Sequence, residues 1–361
     1  MEVQKILLVT NHSYMFWQFR RELTAELMKG HEVVLSMPFV GHGEDFAALG
    51  VRCVETKIDR RGINPITDLA LLKAYWNLIA SEKPDLVITY SIKPNIYAGL
   101  LCGLRGIPFY ANVQGLGTAF QKKGLARFVT LLYKLAFRKV EKVFFENAEN
   151  AAEFQRRGII PAEKQVLLRG AGINLEHYQL QPYPYDAKPH FLYLGRLMRE
   201  KGIDELFEAA SRLHAEGKHF VLDLVGFFED GYKDQVQQLE QAGIAVFHGF
   251  REDPRPFYGA AACIVLPSYH EGMSNVLLEA AATGRPLITS DIPGCREAVE
   301  QGKTGFLVKV RDSESLYEAM KQFLEMPGEQ QEAMGLAGRR KMEREFRKEM
   351  VVAETMRAIF D

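Results

Sequence analysis

Residues 190–202 read HFLYLGRLMREKG, an apolar run that ends in glycine and is followed at once by basic residues. The next residues, 203–216 (IDELFEAASRLHAE), carry apolar side chains at helical spacing. A strand that is apolar throughout and leads straight into a helix is typical of a parallel sheet with helices on both faces. This segment therefore predicts one strand–helix unit of an α/β domain.

The same alternation extends from this segment in both directions along the chain. The apolar runs of the first series are KILLVT (5–10), EVVLSM (32–37), DLVITY (85–90), PFYANV (108–113), KVFFEN (142–147) and QVLLRG (165–170). The runs of the second series are HFLYLGR (190–196), FVLDLVG (220–226), IAVFHG (244–249), ACIVLPS (262–268), PLITSD (286–291) and GFLVKV (305–310). Each series predicts a doubly wound sheet that binds ligands outside the carboxyl ends of its strands.

Three proline residues mark the boundary between the two series, in YQLQPYPYDAKP (178–189). Prolines at this density exclude regular structure and predict a linker. We therefore expect two Rossmann-like domains that face each other across a cleft, residues 1–181 and residues 182–345. Residues 346–361 (RKEMVVAETMRAIFD from 347 onward) are expected to form a terminal helix that packs back on the first domain.

The charge of the chain is balanced overall but not locally. The 361 residues include 45 Lys and Arg against 46 Asp and Glu, a net charge of −1. Residues 1–181 carry 23 basic and 17 acidic side chains, whereas residues 182–361 carry 22 and 29. Such an asymmetry indicates a basic surface in the first half that meets an anion.

Cysteine use and hydropathy exclude several classes of protein. Cys53, Cys102, Cys263 and Cys295 are isolated, with no C-x-x-C pair, which predicts neither a zinc site nor a disulfide framework. The first apolar run has a core of only about five residues and predicts a strand rather than a signal peptide. No apolar run approaches the ~20 residues that span a bilayer. We therefore expect a cytoplasmic protein.

Two segments of the second half carry the residues that suggest chemistry. Gly195 allows a ligand to approach the backbone at a strand end, and Arg196 and Lys201 supply two cations suited to a diphosphate. In PSYHEGMSNVLLE (267–279), a strand gives way to a helix that begins near Ser274 or Asn275. The N-terminus of that helix favours a phosphate.

Two carboxylates lie at different depths of the same segment, before the helix and inside it. Glu279 is suited to bidentate hydrogen bonds from vicinal sugar hydroxyls, and Glu271 is placed to contact a transferred sugar. Taken singly, each carboxylate also fits a solvated charge at a helix start, and each cation fits a solvated turn. The combination of two cations, a helix N-terminus and two spaced carboxylates favours a ligand site.

With these motifs together, the chain resembles the family 4 retaining glycosyltransferases, which have the GT-B fold. The resemblance rests on GRLMREKG (195–202) and on the E-x7-E element of EGMSNVLLE (271–279). The first half resembles the branch that extends lipid-diphosphate-linked sugars in bacterial capsule, O-antigen and glycan assembly. The segments that carry this second resemblance are IDRRGINPITDL (58–69), TYSIKPNIYAGL (89–100) and NVQGLGTAF (112–120).

The resemblance implies a role for each matching residue. Arg196 and Lys201 would hold the donor diphosphate and, with Glu271 at the donor sugar, form the catalytic set, while Glu279 would bind the ribose. The phosphate cradle would be completed by backbone N–H groups of Met273, Ser274 and Asn275, and the base would be contacted around Phe250 and Arg251. The donor would be a UDP-sugar, with neither a metal nor another cofactor, since the cations and the helix dipole can stabilise the departing diphosphate.

Two departures from the family pattern affect the first half. The loop after the first strand, NHSYMFWQF (11–19), lacks the usual glycines, so that His12 and Tyr14 could contact the acceptor instead. Gln114 stands where relatives carry His and cannot act as a general base, although it can position the sugar. Gly115 and Gly117 would let the backbone pack against that sugar.

A basic helix predicted over residues 120–142 is the candidate membrane contact. On one helix at 100° per residue, its cations Lys123, Arg127, Lys134, Arg138 and Lys142 fall within an arc of about 100°. Such a helix fits an anionic lipid surface, and it fits equally an ordinary helix with a solvated basic stripe. Arg60, Arg61 and Lys93 are candidates for the acceptor diphosphate. Nucleic acid is not an expected partner, because no recognition motif is present.

These inferences predict a retaining enzyme that transfers a hexose or N-acetylhexosamine from a UDP-sugar to a polyprenyl-diphosphate-linked glycan. It would work at the inner face of the cell membrane as a peripheral protein. Two alternatives stay open: an epimerase of sugar nucleotides with the GT-B fold, and a non-catalytic, glycosyltransferase-like partner subunit.

Overall fold

A computed structural model describes residues 2–59, 64–116, 120 and 123–361, with only the backbone of Lys123. The chain forms two compact units. Unit 1 consists of Met1–Ala171 and Glu349–Asp361, and unit 2 of Gly172–Lys348. The chain thus enters unit 2 about ten residues before the predicted boundary at residue 181. The binding roles predicted for the two halves stay predictions.

Unit 1 contains a parallel sheet of seven strands in the order β3-β2-β1-β4-β5-β6-β7. The strands are β1 (Lys5–Val9), β2 (Glu32–Met37), β3 (Arg52–Glu55), β4 (Leu86–Tyr90), β5 (Phe109–Val113), β6 (Lys142–Phe145) and β7 (Gln165–Leu167). The helices are α1 (Ser13–Met28), α2 (Gly43–Ala48), α3 (Pro65–Glu82), α4 (Ile92–Arg105), α5 (Lys123–Ala136), α6 (Ala148–Arg156) and, from the end of the chain, α13 (Lys348–Phe360). Alternating strand residues face opposite sides of the sheet. One face packs on α3, α4 and α5, and the other on α1, α2 and α13.

Unit 2 contains a parallel sheet of six strands in the order β10-β9-β8-β11-β12-β13. The strands are β8 (His190–Leu194), β9 (Val221–Val225), β10 (Ala245–Gly249), β11 (Cys263–Leu266), β12 (Leu287–Ser290) and β13 (Gly305–Val308). The helices are α7 (Ile203–Ala215), α8 (Lys233–Gln241), α9 (Arg255–Ala260), α10 (Asn275–Ala282), α11 (Ser313–Glu325) and α12 (Gly328–Glu345). One large apolar core holds the sheet and its helices together. The predicted α/β class with two doubly wound, Rossmann-like sheets is confirmed.

Two details of the sequence-based elements were wrong. Strand β3 was not predicted, because its residues Arg52–Glu55 are exposed or half-buried and form no apolar run. Residues 329–361, whose sequence predicts one last helix, form two helices instead, α12 and α13, separated at Phe346 and Arg347. Phe346 is fully buried, and its carbonyl accepts a hydrogen bond from the N–H of Ile173 at 2.7 Å.

The proline-rich segment 178–189 has no regular secondary structure, and it is held firmly within unit 2. The buried guanidinium of Arg285 donates to the carbonyl oxygens of Gln181 and Pro182, at 3.4 and 2.7 Å. Arg339 donates to the carbonyl of Tyr178 at 2.9 Å. These bonds fix the segment against the body of unit 2.

Both sheets reverse their strand order at one point, between β1 and β4 in unit 1 and between β8 and β11 in unit 2. In doubly wound sheets, the loops that follow the two strands at such a point diverge and leave a crevice where ligands bind. The segments singled out from the sequence, 195–202 and 267–279, follow β8 and β11. The topology therefore places them side by side at the ligand-binding edge of unit 2.

Candidate functional site

The loops after β8 and β11 touch through a glycine. Gly202 has a φ of +71°, and a Cβ added there would lie 2.1 Å from the carbonyl oxygen of Pro267. Next to this contact, the N–H of Tyr269 donates to the carbonyl of Glu200 at 2.9 Å. Only glycine accommodates both the left-handed backbone and the close approach. This contact brings the GRLMREKG segment against the E-x7-E element.

The two cations predicted to bind a diphosphate each contact a carboxylate. Arg196 Nη1 lies 2.5 Å from Glu229 Oε2, and Lys201 Nζ lies 2.5 Å from Glu271 Oε1. Ser268 Oγ also donates to Glu271 Oε1, at 2.8 Å. A guanidinium has five N–H donors and an ammonium three, so each cation retains further donors for an anion. The carboxylates fix the cations in orientation at the edge of the sheet.

Glu279 lies on α10 and is buried. Its carboxylate accepts hydrogen bonds from the hydroxyl groups of Tyr258, at 2.8 Å, and of Tyr178. Burial raises the pKa of Glu279 to about 7, although the two tyrosines and the charge of Lys348 oppose the shift. Burial thus favours the protonated form of this carboxyl, and any ligand that donates hydrogen bonds to it favours its ionised form.

The N-terminus of α10 offers backbone donors close to Glu271. Leu278 is the first residue whose N–H bonds back into the helix, to the carbonyl of Ser274 at 3.3 Å. The N–H groups of the preceding residues in the first turn have no intrahelical acceptor, as at any helix start. One N–H of the predicted phosphate cradle, that of Ser274, already donates to the carbonyl of Gly294 at 2.8 Å. The N–H groups of Met273 and Asn275 therefore stay the candidates for a phosphate.

The predicted base-contacting residues follow β10. The side chains of Phe250 and Arg251 are both exposed. Phe227, which follows the neighbouring strand β9, is also exposed, and its ring meets that of Phe250 edge to face with centroids 6.5 Å apart. Two exposed aromatic rings at adjacent strand ends offer apolar faces to a planar heterocycle.

At the equivalent edge of unit 1, the loops after β1 and β4 meet through neutral groups. The hydroxyl of Ser91, after β4, donates to Oδ1 of Asn11, after β1, at 2.9 Å. Below this contact, Asn95 accepts a hydrogen bond from Thr89 Oγ1 at 2.6 Å and donates to the carbonyl of Asn112 at 2.8 Å. Buried amide and hydroxyl groups that satisfy one another in this way give a rigid edge without net charge.

The predicted acceptor residues occupy several positions around this edge. His12 caps α1, with Nδ1 accepting from the N–H of Met15 at 3.4 Å. The hydroxyl of Tyr14 accepts from Gln18 Nε2 at 3.0 Å, and Lys93 forms an ion pair with Asp68 at 2.7 Å. Gln114 and Gly115 follow β5 directly and are half-buried. Three further candidates, Arg60, Arg61 and Gly117, lie outside the described residues.

The predicted membrane helix is shorter than expected. Helix α5 ends at Ala136, and Arg138 lies in a single 3₁₀ turn, Phe137–Lys139. Lys142 lies on β6, where its ammonium donates to the carbonyl of Glu163 at 2.9 Å. The five predicted cations therefore do not share one helical arc, because the helix ends before two of them. The side chain of Lys123 lies outside the described residues.

Helix α5 nevertheless presents an exposed apolar stripe. Phe128, Leu131 and Leu135 are each about half exposed, and Arg127 and Lys134 are exposed on the same helix. At 100° per residue, the three apolar side chains fall within about 60° and the two cations lie beside them.

Some classes of site are absent from the described parts of the chain. There, no three His, Cys, Asp or Glu side chains converge as metal ligands would. No helix of the described ranges combines the length and the hydropathy that a membrane span requires. All four cysteines are free thiols, and Cys102, Cys263 and Cys295 are buried.

Several residues of the site were missed from the sequence. Glu229 holds Arg196, Tyr178 and Tyr258 hold Glu279, and Phe227 stands beside Phe250. The sequence does carry a signal for Phe227 and Glu229, because β9 and β10 are followed by the related sequences VGFFED (225–230) and HGFRED (248–253). The tyrosine contacts had no such signal, because they depend on tertiary packing.

Comparison with known families identifies two domains in the chain. A family model described as Glycosyl transferase 4-like matches residues 5–147, and one described as Glycosyl transferases group 1 matches residues 188–326. Together they match more than three quarters of the chain.

Individual relatives agree with these domains. Over 316 residues, the chain is 28% identical to the N,N'-diacetylbacillosaminyl-diphospho-undecaprenol alpha-1,3-N-acetylgalactosaminyltransferase of Campylobacter jejuni, covering 81% of this chain and 82% of the relative. It is 29% identical to the capsular polysaccharide biosynthesis glycosyltransferase CapM of Staphylococcus aureus, covering 82% and 81%. Among solved structures, Anabaena HepE in complex with UDP and glucose matches with a TM-score of 0.80 at 18% identity, covering 98% of this chain and all of HepE.

Proposed function

The chain belongs to the glycosyltransferases of the GT-B fold, with a glycosyl transferase 4-like domain followed by a glycosyl transferase group 1 domain. We therefore propose that it extends a lipid-linked glycan. The donor is a UDP-sugar that carries a hexose or an N-acetylhexosamine. The acceptor is a sugar linked to a polyprenyl diphosphate, in the synthesis of a bacterial surface polysaccharide or related glycan. Transfer retains the anomeric configuration and requires no metal.

The geometry at the β8–β11 edge carries the donor half of this proposal. Arg196, Lys201 and the N-terminus of α10 converge on one edge, where they suit the diphosphate of a nucleotide sugar. Glu271 lies next to Lys201 and is placed for the hydroxyls of the sugar, and Glu279 for those of the ribose. The exposed pair Phe227 and Phe250 suits the base.

The chemistry follows from where charge develops. As the bond from the anomeric carbon to the diphosphate breaks, negative charge grows on the leaving phosphate, and the fixed cations stabilise it more than they stabilise the donor. The same phosphate oxygen can accept the proton of the attacking hydroxyl on the same face of the sugar. A side-chain base is then unnecessary, which agrees with Gln114, a side chain that cannot act as a base.

The acceptor half rests on the relatives and on the surface of unit 1. The Campylobacter relative is named for an acceptor on diphospho-undecaprenol. A lipid acceptor of this kind is reached at a bilayer, and α5 offers exposed Phe128, Leu131 and Leu135 beside Arg127 and Lys134. We propose that α5 lies on the anionic inner face of the cell membrane, with Lys93 and the neutral edge of unit 1 near the acceptor.

A transfer assay tests the proposal. The purified protein is first tested for thermal stabilisation by UDP-, GDP- and dTDP-sugars, and UDP-sugars are expected to raise the melting temperature most. The best donor is then incubated with polyprenyl-diphosphate-linked acceptors, and mass spectrometry and NMR identify the product and its anomeric configuration. Isomerisation of the UDP-sugar without acceptor would instead identify an epimerase. Binding without turnover on any acceptor would identify a non-catalytic subunit.

A further inference from the structure

The outer surface of α3 carries an apolar stripe that the proposed function does not use. At 100° per residue, Ile66, Leu69, Lys73 and Trp76 fall within an arc of about 80°. Ile66 is 79% exposed, Leu69 67% and Trp76 47%, and Lys73 is exposed as well. The opposite side of the same helix is buried in the core of unit 1. A surface helix ordinarily places polar residues on its outer side, so this stripe indicates a binding surface.

The end of α4 extends this apolar surface. Leu104 is 76% exposed, and the guanidinium of Arg105 lies 4.0 Å from the centre of the Trp76 ring. A tryptophan that is half exposed and covered by an arginine suits the boundary between lipid headgroups and hydrocarbon, where amphipathic rings collect. The stripe of α3 and the end of α4 form one patch, which we name the α3 patch.

The charges around the α3 patch fit an anionic partner. Helices α4 and α5 contain no acidic residue. The two acids of α3 are both neutralised, Asp68 by Lys93 at 2.7 Å, and Glu82 by Lys5 at 3.0 Å and by Arg52. Among the described residues of helices α3, α4 and α5, every acid therefore has a cationic partner, whereas several cations are exposed.

The other helix layer of the same sheet is different. Helix α2 exposes Glu44 and Asp45. An anionic surface would repel these side chains and attract Lys73, Arg127 and Lys134. The exposed acids of α2 thus make that side of unit 1 a poorer match for an anionic bilayer than the side formed by α3, α4 and α5.

We propose that the α3 patch is a second lipid-binding element, which inserts into an anionic bilayer beside the α5 stripe. Ile66, Leu69 and Leu104 enter the outer hydrocarbon, Trp76 lies at the interface, and Lys73 contacts headgroups. The inference rests on the proposed membrane site at α5 and adds a consequence to it. One amphipathic helix leaves unit 1 free to rotate about the helix axis, whereas two separated elements fix one orientation on the membrane.

Trp76 itself reports the contact. The chain contains two tryptophans, so that a Trp17→Phe protein retains Trp76 as its single fluorophore. With vesicles of phosphatidylglycerol and phosphatidylcholine, we expect its emission to shift to the blue and to be quenched by lipids brominated near the headgroup. Vesicles of phosphatidylcholine alone should give a markedly smaller response. Unchanged Trp76 emission at lipid concentrations that bind the protein would overturn the proposal.

Paired variants separate the α3 patch from α5. Ile66→Ser/Leu69→Ser and Leu131→Ser/Leu135→Ser are each expected to weaken partitioning into anionic vesicles by about tenfold. Met350→Gln, an exposed apolar residue on α13 in the opposite layer, should leave partitioning unchanged. Because all five positions are exposed, thermal melting is expected to stay close to that of the parent and checks that each variant folds.

Each remaining outcome decides between the two membrane elements. If the α5 variant loses binding while the α3 variant floats like the parent, the α3 proposal fails and the α5 site stands. If the parent does not float with anionic vesicles, both fail. If Trp76 emission shifts with protein concentration in the absence of lipid, the α3 patch is a contact between two copies of the chain, and the proposal is overturned.

Discussion

In unit 2, the loops after β8 and β11 carry Lys201 and Glu271 as an ion pair, whereas in unit 1 the loops after β1 and β4 meet through the hydroxyl of Ser91 and the amide of Asn11. The two edges occupy the same place in the same topology. Their chemistry differs because loops, rather than the sheet, supply the functional groups. A charged edge suits a nucleoside diphosphate, and a neutral edge suits sugar hydroxyls.

Gly202→Ala should have the largest effect on the charged edge. The added Cβ would lie 2.1 Å from the Pro267 carbonyl oxygen, and the alanine would have to adopt a left-handed φ. We therefore expect a loss of about 3 kcal/mol or more in stability. Donor binding should fall with it, because the two loops separate. Gly217→Ala is the matched control, since Gly217 has a φ of +75° with open space around it, and it should cost only about 1 kcal/mol. Urea unfolding and donor titration measure both variants, and equal losses would contradict the loop contact.

Arg196→Ala tests the charge of the same edge without disturbing its backbone. We expect kcat/KM to fall by about 100-fold or more, because a fixed cation at the leaving phosphate is lost. Arg199→Ala is the control in the same loop. The side chain of Arg199 is 77% exposed, and its ion pair with Asp204 is long, at 3.6 Å. Steady-state kinetics with a saturating acceptor separate the two. Full activity of Arg196→Ala would exclude the diphosphate role.

Asn95→Ala tests the neutral edge. Removing this amide takes one hydrogen bond from Thr89 Oγ1 and one from the carbonyl of Asn112, which should cost about 2 kcal/mol in the free energy of unfolding. Donor affinity should stay unchanged, because the network belongs to unit 1. Asn77→Ala, at an exposed position of α3, is expected to change stability little. A weaker donor affinity in Asn95→Ala, with stability intact, would show that the two edges are not chemically separate.

The sequence predicted the strands and the two edges better than it predicted the contacts within each edge. Apolar runs identify buried parallel strands, and the basic and acidic motifs follow β8 and β11 as expected. The half-exposed β3 gave no such pattern. The partners of Arg196 and Lys201 lie 33 and 70 residues away, so spacing alone could not pair them. The break at Phe346 likewise follows from tertiary burial rather than from local propensity.

The pH dependence of donor binding gives the smallest expected effect and the sharpest test of Glu279. Its pKa is about 7 because burial disfavours the charge. Ribose hydroxyls donate to the ionised carboxylate, so binding a UDP-sugar should release a proton below pH 7 and strengthen as the pH rises through 7. Affinity at pH 8 is expected to exceed that at pH 6 by about tenfold. Calorimetry with a UDP-sugar measures this, since its diphosphate does not titrate in that range.

Two variants establish whether Glu279 causes this profile. Glu279→Gln should bind more weakly than the parent at pH 8 and should lose the pH dependence. Tyr258→Phe removes a hydrogen bond that lowers the pKa of Glu279, so the midpoint of the profile should move to higher pH while affinity at pH 8 falls only about threefold. A merely structural role for Tyr258 would lower the melting temperature without moving the midpoint. A profile that persists in Glu279→Gln would assign the titration to another group and remove Glu279 from the charged edge.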